Sequence, residues 1–168
     1  MSERESGRCA ETHVVEVAGR HFTLERATLQ DVPALVSLLA DDPLGAGRQG
    51  GDRQVYEAAF ADIDRDPHQF LAVVRDSDGS MVGTMQVSLI PGLSRGAMTR
   101  VQIEAVRVAE PARGVGLGTA MFEWAHEYGR RRGAGLAQLT TDNTRVEAHR
   151  FYARLGYQAT HQGLKLPL

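Results

Sequence analysis

Three glycines at alternate positions, Gly114, Gly116 and Gly118, join a run rich in β-branched residues (Val101, Ile103, Val106, Val108) to Met121, Phe122, Ala125 and Tyr128, which recur at helical spacing. The order is strand, glycine loop, helix. The first N–H groups of a helix lack intrahelical partners and lie at the positive end of its dipole, so a loop bare of side chains offers concentrated donors to a phosphate. The same glycines would also serve a tight turn and close packing of helix on sheet. Two common phosphate patterns fail on spacing. A dinucleotide fingerprint needs a glycine where Thr119 stands, and a P-loop needs a Gly-Lys-Ser/Thr that is absent.

The run Arg113-Gly114-Val115-Gly116-Leu117-Gly118 resembles the Gln/Arg-x-x-Gly-x-Gly/Ala signature of the GNAT superfamily of acetyl-CoA-dependent N-acetyltransferases. Downstream, Ala148-His149-Arg150-Phe151-Tyr152-Ala153-Arg154-Leu155-Gly156-Tyr157 resembles that family's second block, a helix ending in Tyr-x-x-Leu-Gly-Phe/Tyr. The likeness spans roughly residues 20 to 168. It implies that acetyl-CoA is held by Val106, Arg107 and Val108 of the strand and by Arg113, Gly114, Val115, Gly116, Leu117, Gly118 and Thr119 of the loop and helix start. The family often has an asparagine seven residues before the tyrosine of the second block. Here Arg145 stands there and Asn143 lies two places earlier, so either could take that cofactor contact.

Acetyl transfer to an amine sets three chemical demands. An alkylammonium of pKa about 10.4 leaves fewer than about one molecule in a thousand as free amine at pH 7, so a base helps. Glu104 is the candidate base, because simple alternation puts it on the strand face of Val106 and Val108; the alternative is an ion pair with an arginine such as Arg107. Gln102 shares that face and could orient water. The tetrahedral oxyanion needs an N–H donor. The resemblance implies a strand splayed from its neighbour, with the N–H of Val108 or Val106 exposed. The departing thiolate needs a proton, for which the resemblance points to Tyr152. With a phenol pKa about 10 against a thiol near 8.5, donation is uphill by only about 2 kcal/mol. No serine or cysteine sits beside a recognisable base, which favours direct transfer in a ternary complex. A non-catalytic CoA-binding or regulatory member of the same fold is the alternative.

The elements that must position these groups follow from the rest of the chain. Its 168 residues, 42% hydrophobic and 24% charged, suit one domain over residues 13–168 behind a polar tail at 1–12. A net charge of -2 argues against a nucleic-acid partner. Cys9 is the single cysteine, the start lacks an apolar core, and no apolar run approaches the ~18 residues of a membrane span, so a cytoplasmic setting without membrane association is expected. The six histidines show no paired zinc spacing, so no metal is expected. The resemblance implies an amine acceptor, small or on a polypeptide, and is compatible with a homodimer.

Strands are expected at 13–17, 21–26, 70–74, 81–90, 101–108 and 137–141, with two short closing strands at 157–160 and 164–166. Helices are expected from Thr28 to about Asp41, burying Val32, Leu35, Val36, Leu38 and Leu39, and from Arg53 to about Asp66, burying Val55, Tyr56, Ala59, Phe60 and Ile63. Two more follow the glycine loop and span about Arg145 to Leu155. The fold class is α/β, a GNAT-like mixed central sheet of about six or seven strands flanked by about four helices. The resemblance implies that loops at 41–52, where Asp41 and Asp42 could attract a cationic amine, and at 91–99 border the acceptor site.

Overall fold

The computed structural model describes residues 12–41 and 51–168. Six strands form one sheet in sequential order: β1 (His13–Val17), β2 (Arg20–Arg26), β3 (Gln69–Asp76), β4 (Met81–Ile90), β5 (Thr99–Val108) and β6 (Ala134–Gln138). The first five are antiparallel neighbours. β6 lies parallel to β5, the geometry that a helical crossover permits. The helices are α1 (Val32–Ala40), α2 (Arg53–Arg65), the four-residue α3 (Ser94–Ala97), α4 (Leu117–Arg131) and α5 (Val146–Arg154). The architecture is thus mixed α/β, with the strand number expected from the sequence.

Alternation along the central strands divides their side chains between two cores. On one face Phe22, Phe70, Val74, Met85, Val87 and Val101 pack beneath Leu117, Met121, Phe122 and Tyr128 of α4. On the other, Val73 meets Val32, Leu35 and Phe60 of α1 and α2. α4 sits close against β5, because a Cβ at Gly129 would lie 2.4 Å from Val101 Cγ2. That contact fixes the last turn of α4 against the start of β5.

A polar clamp closes the second core. Arg75 reaches Glu25 Oε1 at 2.7 Å and Asp31 Oδ1 at 2.6 Å. Asp31 Oδ2 in turn accepts from the Thr28 N–H and hydroxyl at 2.8 and 2.9 Å. Thr28 therefore starts a single 3-10 turn, Leu29–Asp31, ahead of α1, where the sequence suggested one continuous helix.

Four expectations change. In α2 the buried stripe narrows to Tyr56, Phe60 and Ile63; Val55 and Ala59 face solvent, because the helix rests on the sheet along one row only. The strand expected at 137–141 begins at Ala134, since Gly133 (φ +76°) ends α4 and the next residues pair at once with Thr99 to Gln102. The closing strands are not formed. Leu164 and Leu166, whose alternation with Lys165 suggested a strand, meet no partner edge and are 92% and 81% exposed. The loop at 91–99 holds α3, an irregular turn in which Arg95, Gly96 and Ala97 all have positive φ. Cys9, Asp42 and most of the 41–52 loop lie outside the described residues. No helix among the described residues is long and apolar enough to cross a membrane.

Candidate active site

β5 carries the centre of the site, and its alternation breaks once. Gln86 of β4 pairs with Glu104 and Thr84 pairs with Arg107, so Met85 stands opposite two residues, Ala105 and Val106. Ala105 takes the left-handed conformation (φ +52°), as a β-bulge requires. Cross-strand partners share a face. Glu104 and Arg107 thus lie together with Gln102 and Thr84, whereas Val108, opposite Gly83, turns to the α4 face. This corrects the placement of Glu104 beside Val106 and Val108: a bulge of one residue reverses every side chain beyond it.

Glu104 is exposed, and among the described residues it forms no ion pair. The alternative of a pair with Arg107 is not realised. Arg107 Nη1 instead donates to the Val106 carbonyl at 2.8 Å.

β5 and β6 part company halfway. Their parallel register runs from Thr99–Ala134 to Gln102–Gln138 and stops there, while β5 continues six residues further. Among the described residues the edge from Ile103 to Val108 is therefore open on the side away from β4. Successive residues of a strand aim their backbone groups at opposite edges. The Ala109 N–H goes to Val82 O of β4 at 2.8 Å, so the groups of Val108 face the open edge. Consistent with this, the Val108 carbonyl is taken by Arg113 Nε at 2.9 Å.

The glycine loop follows. Gly114 and Gly116 have φ of +78° and +96°, a region that favours glycine. Packing does not demand them: a Cβ at Gly114 meets nothing within 4 Å, and at Gly116 and Gly118 the nearest atoms are at 3.6 and 3.5 Å. Both Gly114 and Gly116 are exposed, and α4 begins at Leu117 without a side-chain cap. Its first bond from a loop carbonyl runs from Ala120 N to Gly116 O, which leaves Leu117, Gly118 and Thr119 N–H without helical partners. Arg113 pins the loop to β5 through Val108 and lies 3.8 Å from Asp41, so Asp41 belongs to this end of the strand and not beside Glu104.

Tyr152 is set by aromatic contacts. Its ring and that of Phe151 each pack 5.6 Å from Phe122 of α4. Burial pushes its phenol above the usual value, against the opposing pull of Arg145 and Arg107, so it is protonated at neutral pH and able to donate. Among the described residues its hydroxyl has no hydrogen-bond partner. Neighbouring Tyr157 is pushed up to about 12 by burial and by Tyr152, and it is engaged by His126 Nε2 at 2.8 Å.

One cleft collects Glu104, Arg107, Asn143, Arg145 and Tyr152 along its wall. Residues 113–119 lie outside that wall, beyond the C-terminal end of β5. Arg95, Arg100 and Gln138 also line the cleft. Sequence reasoning passed over Arg100 and Gln138, although Arg100 precedes Glu104 by four residues on the same strand face. No cluster of three or more metal-ligating side chains occurs among the described residues.

This arrangement, an uncapped glycine-started helix beside an open strand edge, is that of an acyltransferase. The acetyltransferase (GNAT) family model matches residues 32–157, and the chain belongs to that family. It is 31% identical over 140 residues to an aminoalkylphosphonate N-acetyltransferase of Salmonella typhimurium, covering 82% of this chain and 86% of that protein. A streptothricin acetyltransferase of Streptomyces lavendulae is 30% identical over 85% of this chain and 66% of its own length. Among solved structures, a protein from Bacillus halodurans C-125 named a transcriptional regulator superposes with a TM-score of 0.82 at 37% identity, over 93% of this chain and all of that one.

Proposed function

We propose that this acetyltransferase moves the acetyl group of acetyl-CoA directly to a primary amine, within a ternary complex, in the cytoplasm. The observation that carries the reading is the open edge of β5, which runs from the uncapped start of α4 toward the cleft holding Glu104 and Tyr152. The residues present fit the cosubstrate: N–H groups of Leu117, Gly118 and Thr119 would hold its diphosphate, and the open edge would pair with its amide-bearing arm. Arg145 or Asn143 would supply a further contact. The aminoalkylphosphonate enzyme's name supports a small amine as acceptor.

Glu104, unpaired and facing the cleft, accepts the ammonium proton directly or through water oriented by Gln102. The amine then adds to the thioester carbonyl. The N–H of Val108, or of Val106, stabilises the oxyanion in place of bulk water. As the C–S bond breaks, Tyr152 donates its proton to the sulfur; the nitrogen loses its second proton to solvent, Glu104 releases the first, and the phenolate regains a proton from solvent. The products are an amide and a free thiol.

Thiol release from acetyl-CoA with a panel of primary amines tests the reaction. Gly116→Val would force a β-branched side chain into a left-handed turn, and should weaken CoA binding in calorimetry at least tenfold, about 1.4 kcal/mol. Tyr152→Phe should lower kcat by roughly 10²-fold or more while leaving CoA affinity close to wild type. Unchanged turnover in that variant removes Tyr152 from the mechanism, and CoA binding indifferent to Gly116→Val removes the loop.

A further inference from the structure

We propose that the acceptor carries, besides its amine, an oxyanionic group such as a carboxylate or phosphonate, and that Arg100 binds it. This rests on the acetyltransferase reading and adds the substrate's second charge. The chain as a whole has 19 basic against 21 acidic residues. The cleft does not share that balance: among the described residues five arginines and Lys165 line it, against Glu104 and Asp142. Arg145 and Arg107 stand near Tyr152 and can be assigned to the donor's side of the cleft. Arg100 cannot, because it lies eight residues before Val108, about 26 Å along the strand from the glycine-loop end.

Arg100 is half-buried, and among the described residues it has no carboxylate partner. Its one contact is with a neutral amide, Gln138 Oε1 at 3.4 Å, which leaves most of its five donors unused. A planar, weakly hydrated guanidinium so placed suits bidentate binding of an oxyanion.

The spacing to Glu104 supports a short bifunctional amine. Arg100, Gln102 and Glu104 share one face, since their partners Ile90, Ser88 and Gln86 follow without a register shift. Four residues put the two backbone positions about 13 Å apart. The guanidinium leans along the strand, because Gln138 is the cross-strand partner of Gln102 and donates to its Oε1 at 2.8 Å. What separates the arginine head from the carboxylate is thus about one dipeptide repeat, the span of a few-carbon chain. Between them the cleft is lined by uncharged Gln102 and Gln138, which stand in register with Ser88 and Gln69 across four strands. An ammonium at Glu104 and an oxyanion at Arg100 would each meet an opposite charge. Arg95, on the left-handed turn of α3, opens onto the same cleft, at a backbone strain of the kind that gathers at ligand loops.

The test compares three acceptors that differ at one end: 2-aminoethylphosphonate, β-alanine and β-alaninamide. With wild-type enzyme at least one of the acids should exceed the amide by about tenfold or more in kcat/KM, the scale of a charge-assisted hydrogen bond. Which acid does so identifies the tetrahedral or the planar oxyanion. Arg100→Gln should raise KM for that acid by about the same factor and collapse its advantage over the amide, with Arg100→Lys restoring part of it. An amide as good as both acids, or a variant that depresses all three equally, overturns the proposal while leaving acetyl transfer standing. Thiol release with none of the three, or with any other amine, overturns both.

Discussion

The two flanks of β5 are built differently. Toward β4 and α4, Ala72, Val74, Met85, Val87 and Met121 are all completely buried, and Gly83 and Gly129 let helix and sheet approach without intervening atoms. Toward β6, α5 contributes no fully buried residue, Leu136 is exposed within its strand, and residues 157–168 carry their leucines into solvent. Stability is therefore concentrated on one side and access on the other. β5 lies along the seam, rigid where it is paired and unpaired where a substrate has to reach it.

Truncation on the packed side should therefore cost far more than on the open side. Phe122→Ala removes a 1%-exposed ring that also seats Tyr152, and should lower the free energy of unfolding in urea by about 3–5 kcal/mol. A loss under about 1 kcal/mol would mean the α4 face is not the keystone.

A smaller effect is expected from acid. Burial tends to raise the Asp31 carboxyl, but hydrogen bonds from Thr28 and Arg75 outweigh it and hold the pKa below the usual carboxylate value. A depressed folded pKa gives stability that is full above the unfolded value, about 3.9, and lost as pH falls through the lower folded one. Thermal midpoints should therefore fall below about pH 4, and Asp31→Asn should flatten that fall. Identical slopes would deny the clamp its part. The smallest change is on the open flank: Leu166→Ala should shift stability by no more than about 0.5 kcal/mol. A cost of several kcal/mol there would show that the tail is covered in solution.

What the sequence disclosed follows the same division. β4 was legible to its ends, Met81 to Ile90, because Gly79 and Pro91 punctuate it locally, and α4 because its apolar period is uninterrupted. The glycine loop and Tyr152 were legible as motifs. The face of Glu104 was not, since a bulge is decided by pairing between strands and Ala105 gives no sign of it. Nor was the start of β6, which depends on where a parallel neighbour offers an edge, or the fate of Leu164 and Leu166, whose alternation suits a strand that finds no partner. Arg100 stood in plain view on the right strand, but its significance required the charge of the assembled cleft.

The extra residue at Ala105 has an evolutionary corollary. It acts as a phase break in the strand: each segment keeps its own alternation, and Glu104 before it and Arg107 after it come to one face. Side chains between Arg100 and Glu104 can therefore change without altering the edge that Val106 to Val108 present, which leaves the proposed acceptor side free to diversify apart from the proposed donor side.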